Sequence, residues 1–313
     1  MFKWKKLGRV FNPADLNKSW IKEYAQAPSI IIFEDFVRVY FSCRPAPDSN
    51  GQFVSRLAFI DLNRNNLFEI INVCKGPILS LGELGTFDEF GTYPVSVIKS
   101  GNDIRAYYAG WTRCESVPFN AAIGLAYSYD NGSTFERAGM GPVLSYTPDE
   151  PFVLGSPKIR RFNDNWWLWY SSGKKWVKQV PKPEPIYKIR MAYSSDGENW
   201  TKFGKDLIEN RLEEDECQAS ADVFFFEGIY HMFFSYRYHL SKVYKIGYAF
   251  SGDLLTWTRD DSKAGIEKSS EGWDSESVSY PYVFELDSKI YMLYQGNEIG
   301  RNGFGLAELE SYN

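Results

Sequence analysis

Five repeats of one strand-turn-strand pattern run along the chain, and they constrain its fold more than any other feature. Each repeat begins at an anchor residue, usually proline, and continues with an apolar strand, a short turn and an aromatic-rich strand. The anchors are Pro28, Pro94, Pro157, Ala221 and Pro281. They are 66, 63, 64 and 60 residues apart, which is room for a four-stranded sheet and its loops. The sequence therefore predicts an all-β, five-bladed propeller with about four antiparallel strands per blade.

The connections between the strands support this reading. Turns such as Gly101-Asn102-Asp103 and Glu227-Gly228 contain typical hairpin residues. No long helical period interrupts the repeats, which excludes a β/α barrel. The last repeat stops after Gly303–Glu310 and lacks a fourth strand, which the N-terminal segment Lys6–Phe11 can supply, closing the ring. We expect residues 1–313 to form a single domain.

Three repeats share a turn of the form Ser-x-Asp followed by an aromatic residue, beginning at Ser128, Ser194 and Ser251. Ser and Asp side chains can cap the backbone donors of such a turn, glycine can take its positive φ, and the aromatic residue can pack between blades. We interpret these turns as architectural.

Composition and charge restrict the partners. Aromatic residues make up 17% of the chain, which is typical of proteins that stack sugar rings, although the same residues can simply fill strands. The net charge of −5 argues against binding nucleic acid or an anionic membrane. No apolar run is long enough for a signal peptide or a membrane span. The four cysteines form no CxxC pair, so neither a zinc site nor a disulfide framework is indicated, and a cytoplasmic setting fits best.

The repeats and the Ser-x-Asp turns resemble the five-bladed propeller superfamily of glycoside hydrolase families 32, 43, 62, 68 and 130. Within it the chain looks most like uncharacterised glycosidase-like propellers of bacterial surface-polysaccharide loci. In the family 43 pattern, acidic residues stand at or just before the proline that opens the first blades. Here those places hold Gln26-Ala27, Thr92-Tyr93 and Gly155-Ser156. No catalytic acid carries over by position, and the Trp-Asn-Asp-Pro motif of invertases is missing, which disfavours fructosidase, arabinan and xylan chemistry.

Carboxylates recur further upstream. Glutamate stands five residues before the anchor in four repeats, at Glu23, Glu89, Glu216 and Glu276. Strand entries of a propeller converge on its central tunnel, so we expect this set, with Asp88, to supply the acid and base of glycosyl transfer. Alternatively, these residues cap the innermost strands, pair with an arginine of a neighbouring blade or lie in solvated loops.

The second strand of each repeat ends sixteen residues after the anchor, on the same rim. Arginine there can grip a phosphate or carboxylate through two hydrogen bonds, and aromatic rings there can stack on sugars. The predicted substrate-binding residues at or near these strand ends are Arg44, Trp111, Lys174, Trp176, Tyr236, Arg237 and Asn297. Asp274, in a Trp-Asp pair upstream of the fifth anchor, is predicted to reach the same pocket from its loop. The alternative is that each arginine only neutralises a buried glutamate. The proline-rich segment Val177–Pro185 is predicted to form a rim loop.

We expect an enzyme that hydrolyses or phosphorolyses a glycosidic bond in a pocket on the propeller axis, with a carbohydrate or sugar phosphate as its substrate. Two alternatives remain open: a glycosyltransferase-like enzyme of surface-glycan assembly, and a glycan-binding propeller that has lost catalysis. An axial Ca²⁺ occurs among the similar families, but no ligand set in this sequence demands a metal or another cofactor.

Overall fold

Across residues 1–178, 181–213 and 215–312, which the computed structural model describes, twenty β-strands form five antiparallel sheets of four strands each. The strands are β1 (Phe2–Phe11), β2 (Glu23–Ile32), β3 (Phe36–Arg44), β4 (Arg56–Asn63), β5 (Asn66–Val73), β6 (Thr92–Ser100), β7 (Asp103–Arg113), β8 (Phe119–Ser128), β9 (Glu136–Arg137), β10 (Leu154–Phe162), β11 (Asn165–Val177), β12 (Glu184–Ser194), β13 (Thr201–Lys202), β14 (Glu216–Phe226), β15 (Ile229–Tyr238), β16 (Lys245–Ser251), β17 (Thr258–Arg259), β18 (Ser279–Leu286), β19 (Lys289–Gln295) and β20 (Phe304–Tyr312). Short helical turns lie at Pro13–Leu16, Asp261–Lys263 and Asn297–Gly300.

The five sheets are the blades of a propeller, which confirms the predicted fold. Blade 1 contains β2 to β5, blade 2 contains β6 to β9, blade 3 contains β10 to β13 and blade 4 contains β14 to β17. Blade 5 combines β18, β19 and β20 with β1 from the other end of the chain. Strand β1 pairs with β20 from Phe2 opposite Tyr312 to Phe11 opposite Phe304. The N-terminal strand therefore closes the ring, as the truncated fifth repeat predicts.

The first strand of each blade lies innermost. Strand β2 contacts β6, β6 contacts β10, β10 contacts β14, β14 contacts β18, and β18 returns to β2. In every blade the pairing of the first two strands shifts register at the anchor. The residue before the anchor has a positive φ in four blades, at Ala27, Ser156, Ser220 and Tyr280. The anchors thus mark bulges, which re-aim the neighbouring side chains on the wall of the axis.

The core of each blade contains the aromatic residue that stands thirteen positions after the anchor. The five residues concerned are Phe41, Tyr107, Tyr170, Phe234 and Tyr294, and each is at most 1% exposed. They lie on the second strand, where side chains that alternate toward the neighbouring sheet are shielded from water. Their burial explains why the aromatic-rich strand recurs with the repeat period.

The Ser-x-Asp turns are architectural in the structure also. The hydroxyl of Ser128 accepts from the Gly132 amide at 2.8 Å and donates to Asp130 at 2.8 Å. The Gly132 carbonyl accepts the Tyr40 hydroxyl of blade 1, so the turn links two blades. One detail of the prediction is wrong for the third turn: Leu254, and not a glycine, takes the positive φ there, at 68°.

Candidate active site on the propeller axis

A cavity of about 500 Å³ opens at the end of the ring where the anchors lie. Side chains from all five blades line it, which places it on the propeller axis. Its described lining residues include Gln26, Arg44, Tyr93, Trp111, Phe119, Ser156, Ser171, Lys182, Glu184, Tyr187, Arg237, Lys242, Tyr244, Tyr280 and Ile299. The volume suits a small ligand, since ligand pockets typically measure about 300 to 1,000 Å³. We call this cavity the axial pocket.

Arg44 reaches the axial pocket from the end of β3 and is held there by aromatic rings. Its guanidinium carbon lies 4.3 Å from the ring centre of Tyr24, 5.0 Å from that of Phe53 and 5.7 Å from that of Tyr93. Among the described residues, no carboxylate lies within 4.0 Å of this guanidinium, and its Nε has no hydrogen-bond partner. Rings stabilise a cation without neutralising it, so Arg44 keeps its charge available for an anion.

Glu184 is the one acidic side chain among the described residues that line the axial pocket. It is the first residue of β12 and stands between Pro183 and Pro185. A following proline restricts its backbone to extended conformations, so the carboxylate is presented from a stiff segment. One oxygen accepts a hydrogen bond from Nη2 of Arg237 at 3.0 Å.

Arg237 already has a carboxylate and backbone carbonyls as hydrogen-bond partners, while its Nε has none among the described residues. Its Nη1 donates to the carbonyls of His239 and Ser241, both at 2.7 Å, while Nη2 is engaged by Glu184. The side chain is also buried at 8% exposure. Arg237 therefore fixes the position of Glu184, whereas Arg44 is the pocket arginine that has no carboxylate partner among the described residues.

Tyrosine hydroxyls form much of the remaining wall. The Tyr187 and Tyr244 hydroxyls are in hydrogen-bond contact, and the rings of Tyr244 and Tyr280 meet edge to face at 5.9 Å. Burial raises the pKa of Tyr93 to about 12 and raises the pKa of Tyr187 and Tyr280 well above the usual value. These hydroxyls stay neutral at physiological pH and can donate hydrogen bonds to a ligand.

The positions that hold acids in family 43 carry neutral groups on this wall. Tyr93 and Ser156 line the axial pocket directly before their anchors, and Gln26 does so two residues before Pro28. Gln26 is 1% exposed, donates from Nε2 to the Ile299 carbonyl at 2.8 Å, and leaves Oε1 without a partner. An unpaired buried acceptor is costly, so this oxygen is well suited to accept a ligand hydroxyl.

Three of the sequence-predicted acids lie in buried clusters inside their blades. Each cluster joins a carboxylate, a tyrosine twenty positions later and a cation from an outer strand. The clusters are Asp88, Tyr108 and Arg137 in blade 2; Glu150, Tyr170, Arg190 and Lys202 in blade 3; Glu216, Tyr236 and Arg259 in blade 4; and Asp274, Tyr294 and Lys6 in blade 5. We call them the blade clusters. Blade 1 carries the apolar pair Ile21 and Phe41 at the same spacing, both buried.

The acids of the blade clusters are paired with cations, but each cation comes from the same blade and not from a neighbouring one. Asp88 and Glu216 are fully buried and lie 2.6 Å from Arg137 and Arg259, respectively. The Tyr294 hydroxyl donates to Asp274 at 3.1 Å. None of these carboxylates lines the axial pocket.

The remaining predicted acids are not among the residues that line the axial pocket. Glu23 pairs with Arg301 at 3.2 Å. Glu89 accepts a hydrogen bond from the Gly85 amide at 2.9 Å, and Glu276 is exposed. Asn297 caps the loop that precedes blade 5, accepting from the Glu276 amide at 2.7 Å. Their predicted roles stay untested predictions.

Of the predicted substrate-binding residues, the structure brings Arg44, Trp111 and Arg237 together in the axial pocket. Trp176 lies beyond its edge and meets Phe119 edge to face at 5.4 Å. The other four lie elsewhere: Asp274 belongs to the cluster of blade 5, Asn297 caps the loop before that blade, Tyr236 is buried in its blade, and Lys174 pairs with Asp206 at 3.1 Å.

Sequence reasoning missed Glu184 as a site residue. The segment Val177–Pro185 was predicted as a rim loop, and its described part belongs partly to β11 and β12 while Lys182 to Pro185 line the axial pocket. Gln179 and Val180 lie outside the described residues. The available signal was a glutamate between two prolines in the segment that interrupts the third repeat.

No metal centre is evident among the described residues, because no three of their His, Cys, Asp and Glu side chains are grouped to hold an ion. Within the same residues, no helix has the length and apolar character needed to cross a bilayer.

Comparison with known proteins finds relatives in sequence and solved structures with the same fold. No established family profile matches the chain. An uncharacterized protein of Mycobacterium tuberculosis is 33% identical over 309 residues, covering 98% of this chain and 99% of that protein. A β-1,2-mannobiose phosphorylase of Thermoanaerobacter is 23% identical over 145 residues, covering 43% of this chain and 45% of the phosphorylase.

Solved structures match over the whole ring. A glycoside hydrolase superposes with a TM-score of 0.77 at 17% identity, covering 100% of this chain and 93% of the hydrolase. A structure from glycoside hydrolase family 130, described as mannoside phosphorylases that include hydrolases of β-1,2-mannosidic linkages in Candida mannan, matches with a TM-score of 0.71 at 13% identity, covering 98% and 94%. A thermostable family 43 glycoside hydrolase matches with a TM-score of 0.69 at 15% identity, covering 95% and 93%. The chain therefore belongs to the family of the Mycobacterium tuberculosis protein and has the five-bladed propeller fold of the glycoside hydrolases.

Proposed function

We propose that this protein cleaves a glycosidic bond by phosphorolysis in the axial pocket, with Glu184 as the proton donor and Arg44 as the phosphate-binding cation. The observation that carries the proposal is that one pocket is lined by a single carboxylate and by an arginine that has no carboxylate partner among the described residues.

The number of carboxylates in the axial pocket favours phosphorolysis over hydrolysis. Hydrolysis by the common mechanisms uses two carboxylates, one to protonate the leaving oxygen and one to activate water or attack the sugar. Phosphate is already an anionic nucleophile and needs no second carboxylate to activate it. One acid and one phosphate site are therefore sufficient, and the described lining of the axial pocket offers that set.

The step balances as follows. A phosphate oxygen attacks the anomeric carbon, the bond from that carbon to the glycosidic oxygen breaks, and Glu184 gives its proton to the departing oxygen. The products are a sugar 1-phosphate and a sugar with a free hydroxyl.

The relatives support the same class of reaction. A curated relative is named as a β-1,2-mannobiose phosphorylase, and a structural neighbour comes from a family of mannoside phosphorylases and hydrolases. A cytoplasmic setting is part of the proposal, because all four cysteines are unpaired thiols and phosphate is an intracellular co-substrate.

The experiment is a search for sugar 1-phosphate by phosphorus NMR after incubation with phosphate and a panel of disaccharides that starts with β-1,2-mannobiose. We expect phosphate-dependent product from the wild type and its loss in Glu184→Gln and Arg44→Met. The variants Glu89→Gln and Glu276→Gln make the same chemical change at the acids first predicted from the sequence. Turnover that does not depend on phosphate, or that survives Glu184→Gln and stops in Glu89→Gln, would refute the proposal.

A further inference from the structure

A second, smaller cavity adjoins the axial pocket on the side of blades 1 and 2. It measures about 210 Å³ and is lined chiefly by Gln52, Phe53, Phe90, Trp111, Arg113 and Phe119. We call it the rim groove. Trp111, Phe119 and Lys182 line both cavities, so the groove continues the axial pocket outward.

The walls of the rim groove are aromatic and open to solvent. Phe53, Phe90, Trp111 and Phe119 are each partly exposed. Four partly exposed rings in one concave wall form a contiguous apolar surface that is in contact with solvent. Such exposed apolar surfaces typically mark binding sites. Rings of this kind suit the C–H faces of sugars.

Contacts between side chains hold the walls of the groove in place, and its edges are polar. Trp111 donates from Nε1 to the Tyr93 carbonyl and packs on Phe119 with a centroid distance of 4.1 Å. At the outer end the guanidinium of Arg113 stacks on Phe90 at 4.4 Å and pairs with Asp48. An apolar wall with a fixed donor at its edge fits a sugar ring, whose hydroxyls project around an apolar face.

We propose that the rim groove binds the sugar residue joined to the one in the axial pocket, on the leaving-group side. The inference rests on the proposed function. Glu184 stands two residues from Lys182, which borders both cavities, so the proton donor lies next to their junction. The substrate is then an oligosaccharide of at least two residues, and the groove selects for the length and shape of its leaving part.

The test is binding of the full-length protein to an array of mono-, di- and trisaccharides of mannose, glucose, galactose, N-acetylglucosamine and arabinose. We expect at least one disaccharide to bind at least tenfold more tightly than its monosaccharide. Phe90 lines the groove and not the axial pocket, so Phe90→Ala should weaken disaccharide binding by roughly five- to tenfold and leave monosaccharide binding unchanged. Phe90→Tyr, which keeps the ring, should restore most of the affinity.

The matched control is Phe225→Ala, which removes an exposed ring in blade 4, outside both cavities. It should bind every sugar like the wild type. The inference is overturned if the whole array is silent, if disaccharides bind no better than monosaccharides, or if Phe90→Ala binds all lengths like the wild type.

The two proposals fail in different ways. If disaccharides bind more tightly than monosaccharides in a way that needs Phe90, but no phosphate-dependent cleavage is found, the rim groove is a sugar-binding site and phosphorolysis is refuted. Phosphate-dependent cleavage with an unchanged KM in Phe90→Ala would retain phosphorolysis and refute the rim groove.

Discussion

Removing the carboxylate of Glu216 should cost the fold more than any surface change. The Glu216 side chain is completely buried, with 0% exposure. The Arg259 side chain, with which it pairs at 2.6 Å, is 1% exposed. Its other oxygen accepts the backbone amides of Arg211 and Leu212, at 2.9 and 3.0 Å. Glu216→Ala would leave a buried guanidinium with Asp261 as its remaining carboxylate partner.

Breaking a buried ion pair by removing one partner typically costs about 3 to 5 kcal/mol. For a chain of 313 residues this lowers the melting temperature by roughly 5 to 8 °C. The assay is equilibrium unfolding in guanidinium chloride, followed by tryptophan fluorescence and circular dichroism. The control is Glu23→Ala, because the Glu23–Arg301 pair is partly exposed and its loss should cost about 1 kcal/mol or less.

A stabilising role for Glu216 is refuted if Glu216→Ala unfolds at the same denaturant concentration as the wild type. Should that stable variant also lose all turnover, Glu216 would be catalytic, as its position upstream of the anchor first suggested, and the blade clusters would not be structural devices.

Three further predictions concern the fold. Gly132→Ala should cost about 1 to 3 kcal/mol in unfolding experiments, because φ is 79° there and the added Cβ would lie 2.0 Å from the Tyr40 hydroxyl, whereas Gly139→Ala meets no neighbour and should be neutral. Burial lowers the pKa of Lys158 to about 8, so the unfolded chain binds more protons than the folded one between about pH 8 and 10.5. The free energy of unfolding should therefore rise with pH across that window by up to about 3 kcal/mol, and this rise should be missing in Lys158→Met. We also predict that residues 1–313 form one domain, so fluorescence and circular dichroism should report a single unfolding transition, and two separated transitions would contradict it.

Much of the fold could be predicted because it repeats. The five anchors recur at nearly constant spacing, and the aromatic residue thirteen positions later recurs with them, since each blade must bury the same layer. Closure by β1 followed from counting strands in the last repeat. The positive φ of Leu254 could not be predicted, because the turn residues alone favoured glycine there.

The acids show why the site was harder to predict than the fold. The spacing of twenty residues between Asp88 and Tyr108 is visible in the sequence, but its meaning depends on a cation from an outer strand, 49 residues beyond Asp88. Position relative to the anchor indicated which rim a residue occupies. It did not indicate whether a side chain turns into its blade or toward the axis.

The pocket itself is assembled from residues that no local pattern connects. Arg44 and Arg237 occupy equivalent positions in their repeats. Arg44 is surrounded by aromatic rings, whereas Arg237 donates hydrogen bonds to Glu184 and to backbone carbonyls. The difference depends on loops from other blades. Glu184 lies in the segment that interrupts the third repeat, so its place in the fold could not be predicted from its distance to an anchor.

The most direct test of phosphorolysis in the axial pocket is a crystal structure of the protein with phosphate and a disaccharide that it binds. We expect phosphate on the Arg44 guanidinium and the glycosidic oxygen within about 3 Å of a Glu184 carboxyl oxygen, the reach required of a general acid. A disaccharide bound beside Glu89 or Glu276, or an axial pocket that holds neither ligand, would contradict it.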